Sequence, residues 1–157
     1  MAEEKLRKFE QVKDVIDYGR FIHAEIKAMA ERIEEQEHNA HLILLLDYLK
    51  RHEDELAASL DKFEEGTRKN ILDLWLPYPL DPTIEKKLRG FEIRPDMSLE
   101  EITKLVMEFE DALIELYKEA LNEIDDPQVQ EVMQNLVALE DTEKRRFAMN
   151  VARLQGI

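Results

Sequence analysis

Apolar residues recur every three or four positions along four stretches of this chain, and that period restricts it to amphipathic helices packed face to face. The first stretch carries Val12, Val15, Gly19, Ile22, Ile26, Met29, Ala30 and Ile33. The second carries Leu42, Leu45, Leu46, Leu49, Leu56, Leu60 and Phe63, and stops near Gly66. The third opens at Ser98 with Glu101 three residues on, a capping-box pattern, and runs through Leu99, Ile102, Val106, Phe109, Leu113, Leu116, Tyr117 and Ala120. The fourth follows Asp125-Asp126-Pro127, an N-cap with proline at the first helical position. Its stripe is Val129, Val132, Met133, Leu136, Phe147, Val151 and Leu154.

The turns within each pair are short, around Glu35 to Asn39 and around Asp125 to Pro127, so each pair reads as an antiparallel hairpin. The hairpins occupy residues 10–65 and 98–155, and a proline-rich crossover with the only tryptophan fills 66–97. A structureless connection of that length is uncommon. Short helical pieces are predicted near Ile71 to Leu74 and Thr83 to Arg89, packed down by Trp75 and Tyr78. Two hairpins joined by one long crossover predict an all-α, ferritin-like four-helix bundle, a single domain over residues 1–157.

A formal net charge of −14 disfavours nucleic-acid and anionic-membrane surfaces, which need a basic face, and favours metal cations or basic partners. The absence of cysteine excludes disulfides, thiolate metal sites and cysteine nucleophiles. The longest aliphatic run, Leu42 to Leu46, is too short to span a bilayer, and the charged Met1 to Lys5 lacks a signal-peptide core. A soluble, cytoplasmic protein is expected. Neither a glycine-rich phosphate loop nor a Ser/His/Asp signature is present.

The helical seams contain acids. Leu136, Glu140, Glu143 and Phe147 share one face, and His23, Glu53 and Glu110 interrupt the other three stripes. A shift of 87 residues lays the first hairpin on the second without a gap, matching Val15 with Ile102, Ile22 with Phe109 and Leu49 with Leu136. It also places His23 on Glu110 and Glu53 on Glu140, so each pair is 30 residues apart and sits at one height. Two carboxylates ~4 Å apart repel by ~4 kcal/mol even at an effective dielectric of about 20. Burying each unpaired charge costs several kcal/mol more. Such a layer requires protonation, basic partners or a bound cation. Arg20, Arg51 and Arg146 are near enough in sequence to be the basic partners. A divalent metal is the economical alternative, and oxygen ligands with one imidazole suit Fe, with Mn or Zn as alternatives.

The segment DMSLEEITKLVMEFEDALIELYKEALNEIDDPQVQEVMQNLVALEDTEKRRF, Asp96 to Phe147, resembles the second hairpin of the rubrerythrin-like branch of the ferritin superfamily. The likeness is weaker from Val12 to Phe63 and absent from the crossover. The resemblance implies a di-iron site in which each hairpin gives one Glu and one Glu-x-x-His pair. Glu110 and Glu140 match the second hairpin's glutamates, and Glu143 stands where His is expected. In the first hairpin His23 replaces a glutamate, Glu53 matches the bridging one, and Leu56 occupies the other His position. These departures imply one metal ion, or an asymmetric pair with a weak second ion. The lack of a cysteine-rich electron-delivery tail speaks against a self-contained peroxidase.

His52 neighbours Glu53 but is rotated about 100° from it, which suits a flanking role behind the ligands. His38 and His41 read as exposed hairpin-end residues. Ile43 and Leu44 widen the apolar face of the second helix, and a homodimer through that helix is expected. Two functions stay open: a metal-binding protein with an iron-handling or redox role, its ligands His23, Glu53, Glu110, Glu140 and Glu143; or a metal-free dimeric bundle acting as a scaffold.

Overall fold

The structure, a computed structural model, describes residues 11–36, 39–76, 86 and 97–155. Five helices occur among them: α1 (Val12–Gln36), α2 (Ala40–Glu65), α3 (Lys69–Leu72), α4 (Leu99–Glu123) and α5 (Pro127–Gln155). The long helices start where local chemistry satisfies their free N–H groups. Asn39 Oδ1 accepts from the His41 and Leu42 amides at 2.9 and 3.2 Å. Ser98 and Glu101 form the reciprocal capping box. Asp126 Oδ1 accepts from the Gln128 amide at 2.8 Å, just ahead of the helix that begins at Pro127.

α1 packs chiefly on α2 and α4 on α5, and contacts of α2 with α5 and α1 with α4 close the bundle. Every stripe residue predicted for α1 is buried, and so are most of those on the other three long helices. At the rim, Phe63, Leu99, Val132 and Leu154 are only partly covered. Polar ties reinforce the α2–α5 seam: Asn150 Nδ2 donates to the Tyr48 hydroxyl at 2.9 Å, and His41 Nε2 meets the Leu154 carbonyl oxygen at 2.5 Å.

The crossover begins differently from expectation. α3 covers Lys69–Leu72, slightly earlier than the predicted Ile71 to Leu74. Trp75 is not the anchor: it is 69% exposed, and Ile71 is the buried residue, with Leu72, Leu74 and Leu76 packed on the core. Aliphatic side chains of this segment, not the indole, meet the core there. The Val12 amide donates to the Leu74 carbonyl at 3.0 Å, tying the start of α1 to this segment. Gly66 ends α2 with a φ of −79°, an ordinary right-handed value, so its glycine freedom is not used. Tyr78, His38 and all of the predicted Thr83 to Arg89 piece except Lys86 lie outside the described residues.

Candidate metal centre

Four of the long-helix side chains are polar and fully enclosed: His23 from α1, Glu53 from α2, Glu110 from α4 and Glu140 from α5. Each occupies a position on its helix that otherwise faces the core, so helical phase alone directs it inward. Matched distances from the two hairpin bends bring them to one height, as their 30-residue spacing predicts.

His23 stands at the centre. Its Nδ1 lies 2.5 Å from Glu53 Oε2 and 3.6 Å from Glu110 Oε1, and its Nε2 lies 2.9 Å from Glu140 Oε1. One donor atom from each of His23, Glu53 and Glu110 falls within 4.8 Å of the other two. Burial alone disfavours a charged ring, but Glu140, Glu53 and Glu110 outweigh it and hold the His23 pKa well above its ordinary value. Burial also pushes Glu110 well upward, with Glu53 and Glu140 adding to the effect and His23 opposing it. Glu53 is raised by burial against the pull of His23. The His23 ring, favoured in its charged form, and Glu110, favoured in its protonated form, thus offset part of the repulsion among the acids.

The neutralisation is incomplete in hydrogen-bonding terms. Glu53 Oε1, Glu140 Oε2 and both oxygens of Glu110 are buried without a hydrogen-bond partner. Buried polar atoms are seldom left so, and carboxylate oxygens accept protons or cations only. Donors bound to one ion at about 2.1 Å stand roughly 3–4 Å from each other, close to the spacing of the three convergent groups here. The donor set is one that could hold a metal ion. With Nε2–H donating to Glu140, the Nδ1 lone pair would face Glu53 and Glu110, the usual carboxylate-oriented arrangement of a metal-ligating histidine.

A second ion does not fit equally. Leu56, at the first hairpin's expected His position, is buried and apolar. Glu143 does not join the other four: it is 18% exposed and pairs with Arg146 at 3.2 Å, because one turn of helix brings that guanidinium beside it. His52 also stays out. Its buried ring packs on Phe147 at 5.2 Å and on Tyr48 at 5.9 Å, and its Nε2 has no partner. Burial and the positive charge of His23 lower its pKa to about 4. The arginines are committed elsewhere. Arg20 binds Asp17, Asp61 and Glu64, Arg146 binds Glu143, and Arg51 is exposed.

The periodicity did not single out Tyr117 as anything but core. Its buried hydroxyl lies near Glu140 and Glu110, and burial first, then those carboxylates, push its pKa well up. A tyrosine seven residues after a seam acid, two turns along the same face, was the available signal.

No protein-family model matches the chain, and no curated protein matches it. Among solved structures, one from Thermotoga maritima superposes with a TM-score of 0.55, covering 91% of this chain and 95% of its own at 18% identity. That protein is described as a ferritin-like diiron-carboxylate protein. The fold is ferritin-like. The likeness extends over nearly the full length of both chains, although few residues are shared.

Proposed function

We propose that this ferritin-like chain binds a divalent metal ion, iron by preference with manganese or zinc as alternatives, at a single site between its two hairpins. It would belong beside the rubrerythrin-like branch with an altered ligand set. The observation that carries the reading is the fully buried layer in which His23, Glu53 and Glu110 converge while four carboxylate oxygens lack partners. His23 Nδ1, Glu53 and Glu110 would hold the ion, and Glu140 would orient the ring through Nε2. The Thermotoga likeness supports a metal in this fold, and the Leu56 and Glu143 positions support one ion over two. Bound iron would supply one-electron redox capacity and Lewis acidity; the chain contributes a dry, acidic enclosure that selects a cation. The uncovered Leu44, 51% exposed on α2, supports a homodimer through that helix.

Metal analysis of protein purified without chelator tests the site. About one ion per chain is expected after soaking in Fe(II) or Mn(II), lost in Glu53→Ala and Glu140→Ala. Metal content that stays far below one in the parent protein, and a melting temperature indifferent to added ion, would sink the reading.

One observation favours a second reading. His23 already engages a carboxylate with each ring nitrogen, so the imidazolium can replace the metal as the layer's cation. The chain would then be a metal-free scaffold. In that case His23→Gln would destabilise the protein strongly, and no ion would restore it.

A further inference from the structure

Among the buried polar groups that the metal-site reading leaves without a role is the hydroxyl of Tyr117. The residue is fully enclosed and the hydroxyl makes no hydrogen bond, a costly state for a group that can donate. It has room only because residue 19 is glycine. A Cβ at Gly19 would stand 2.1 Å from the Tyr117 oxygen, with Leu60 Cδ1 3.3 Å away. Gly19 lies inside α1, where alanine is the better helix former, and its φ is not positive. The backbone therefore has no need of glycine there; the phenol does.

The 87-residue repeat sharpens the point. It pairs Tyr117 with Ala30 and Gly19 with Val106, so the related place in the other half of the bundle is wholly aliphatic. The hydroxyl lies near Glu140 and Glu110, and Glu140 Oε2 and both Glu110 oxygens lack partners. Glu140 makes its other contact, through Oε1, with His23 Nε2 at 2.9 Å.

We infer that Gly19 and Tyr117 act as a positioning pair: the glycine admits the phenol, and the phenol O–H donates to the free oxygen of Glu140. Glu140 is then held from both ends, its Oε1 fixing the His23 ring so that Nδ1 points to Glu53 and Glu110. This rests on the layer being a metal site and assigns to it a residue that touches no metal. Tyr117 lies near enough to Glu140 for the carboxylate to help push its pKa up, and each of the two groups has a buried polar atom without a partner.

Co(II) titration of the full chain, followed by absorbance, tests the pair in wild type, Gly19→Ala, Tyr117→Phe and the double variant. Each single variant is expected to weaken binding about tenfold, the usual effect of removing a group that supports a ligand. The double variant should be no weaker than Tyr117→Phe, because the added methyl then has no hydroxyl to displace. Unchanged affinity in Tyr117→Phe, or losses that add, would overturn the inference. So would lowered melting temperatures with unchanged affinity, the mark of packing alone. Tyr117→Phe, which keeps the ring, decides the matter where Gly19→Ala fails to fold. A metal-free readout separates this inference from the metal reading: the NMR signal of the Tyr117 phenol carbon in protein made with isotope-labelled tyrosine. Its expected shift in both Gly19→Ala and Glu140→Gln upholds the pair even where wild type takes up no ion. A signal unmoved in both overturns the pair even where Co(II) binds.

Discussion

His23 is the residue on which the polar layer turns. Among the described residues it is the basic group that faces three enclosed carboxylates, and burial raises the pKa of Glu110 beside it. An incoming divalent ion needs both sites deprotonated, so protons held there must leave as it arrives. Binding is therefore expected to release protons, and affinity should climb as pH rises. Calorimetry in buffers of different ionisation enthalpy measures the number; release near zero would mean the ion binds elsewhere. The sign for stability is the reverse. Both groups have folded-state pKa values above their ordinary ones, so metal-free protein loses stability as pH rises through those values. His52 works in the opposite sense. Its pKa is lowered to about 4 from 6.5, so the unfolded chain binds the extra proton and stability falls as pH drops across that window. The full effect is on the order of 3 kcal/mol. His52→Phe, against the same Phe147 and Tyr48 rings, should flatten the acid limb of a urea-midpoint profile between those values.

At the scale of the helix, each hairpin carries its polar residues through a local code. The cap at Ser98 and the Asp126-Pro127 start read from sequence as they stand in the structure, because capping involves only neighbouring residues. The Glu-x-x spacing is equally local, yet it did not decide whether Glu143 would turn inward. Arg146 sits one turn away and largely in water, and pairing with it at the rim avoids the desolvation that a fourth buried carboxylate would suffer. The half-empty ligand set suggests a gain-of-function test. Leu56→His with Glu143→His should raise the metal content from about one ion per chain to about two, by supplying both missing imidazoles. Elemental analysis checks it; a double variant that folds and still holds one ion would show that helix rotation, not residue identity, limits the second position.

For the molecule as a whole, two packed hairpins enclose the layer, and the chain carries a formal net charge of −14. Among the described residues no helix is long and apolar enough to cross a membrane. Leu44 stays 51% exposed on α2, with Ile43 half-buried beside it. If the proposed homodimer forms through α2, Leu44→Glu should lower the mass in sedimentation to that of a monomer and leave the fold intact, since Leu44 is half-exposed; a dimer that persists in the variant would remove α2 from the proposed interface. Much of this architecture was legible beforehand. Helix positions, their buried faces and the heights of His23, Glu53, Glu110 and Glu140 all follow from a 3.6-residue period counted from two bends. The crossover was less so. Its start is anchored by Ile71 and not by Trp75, because which apolar residue meets the core depends on where the chain leaves α2.

Periodicity, caps and turn spacing decided four helices, their pairing and a shared polar level, because each is a property of residues within a few turns of each other. Packing between helices decided the rest. It put His23 between three carboxylates with a different partner at each ring nitrogen, sent Glu143 to Arg146, and set the Tyr117 hydroxyl in the space Gly19 leaves. Those outcomes depend on how far each helix rotates and which rotamer each side chain takes. Both are settled by contacts between residues as far apart as His23 and Glu140, which no local pattern encodes.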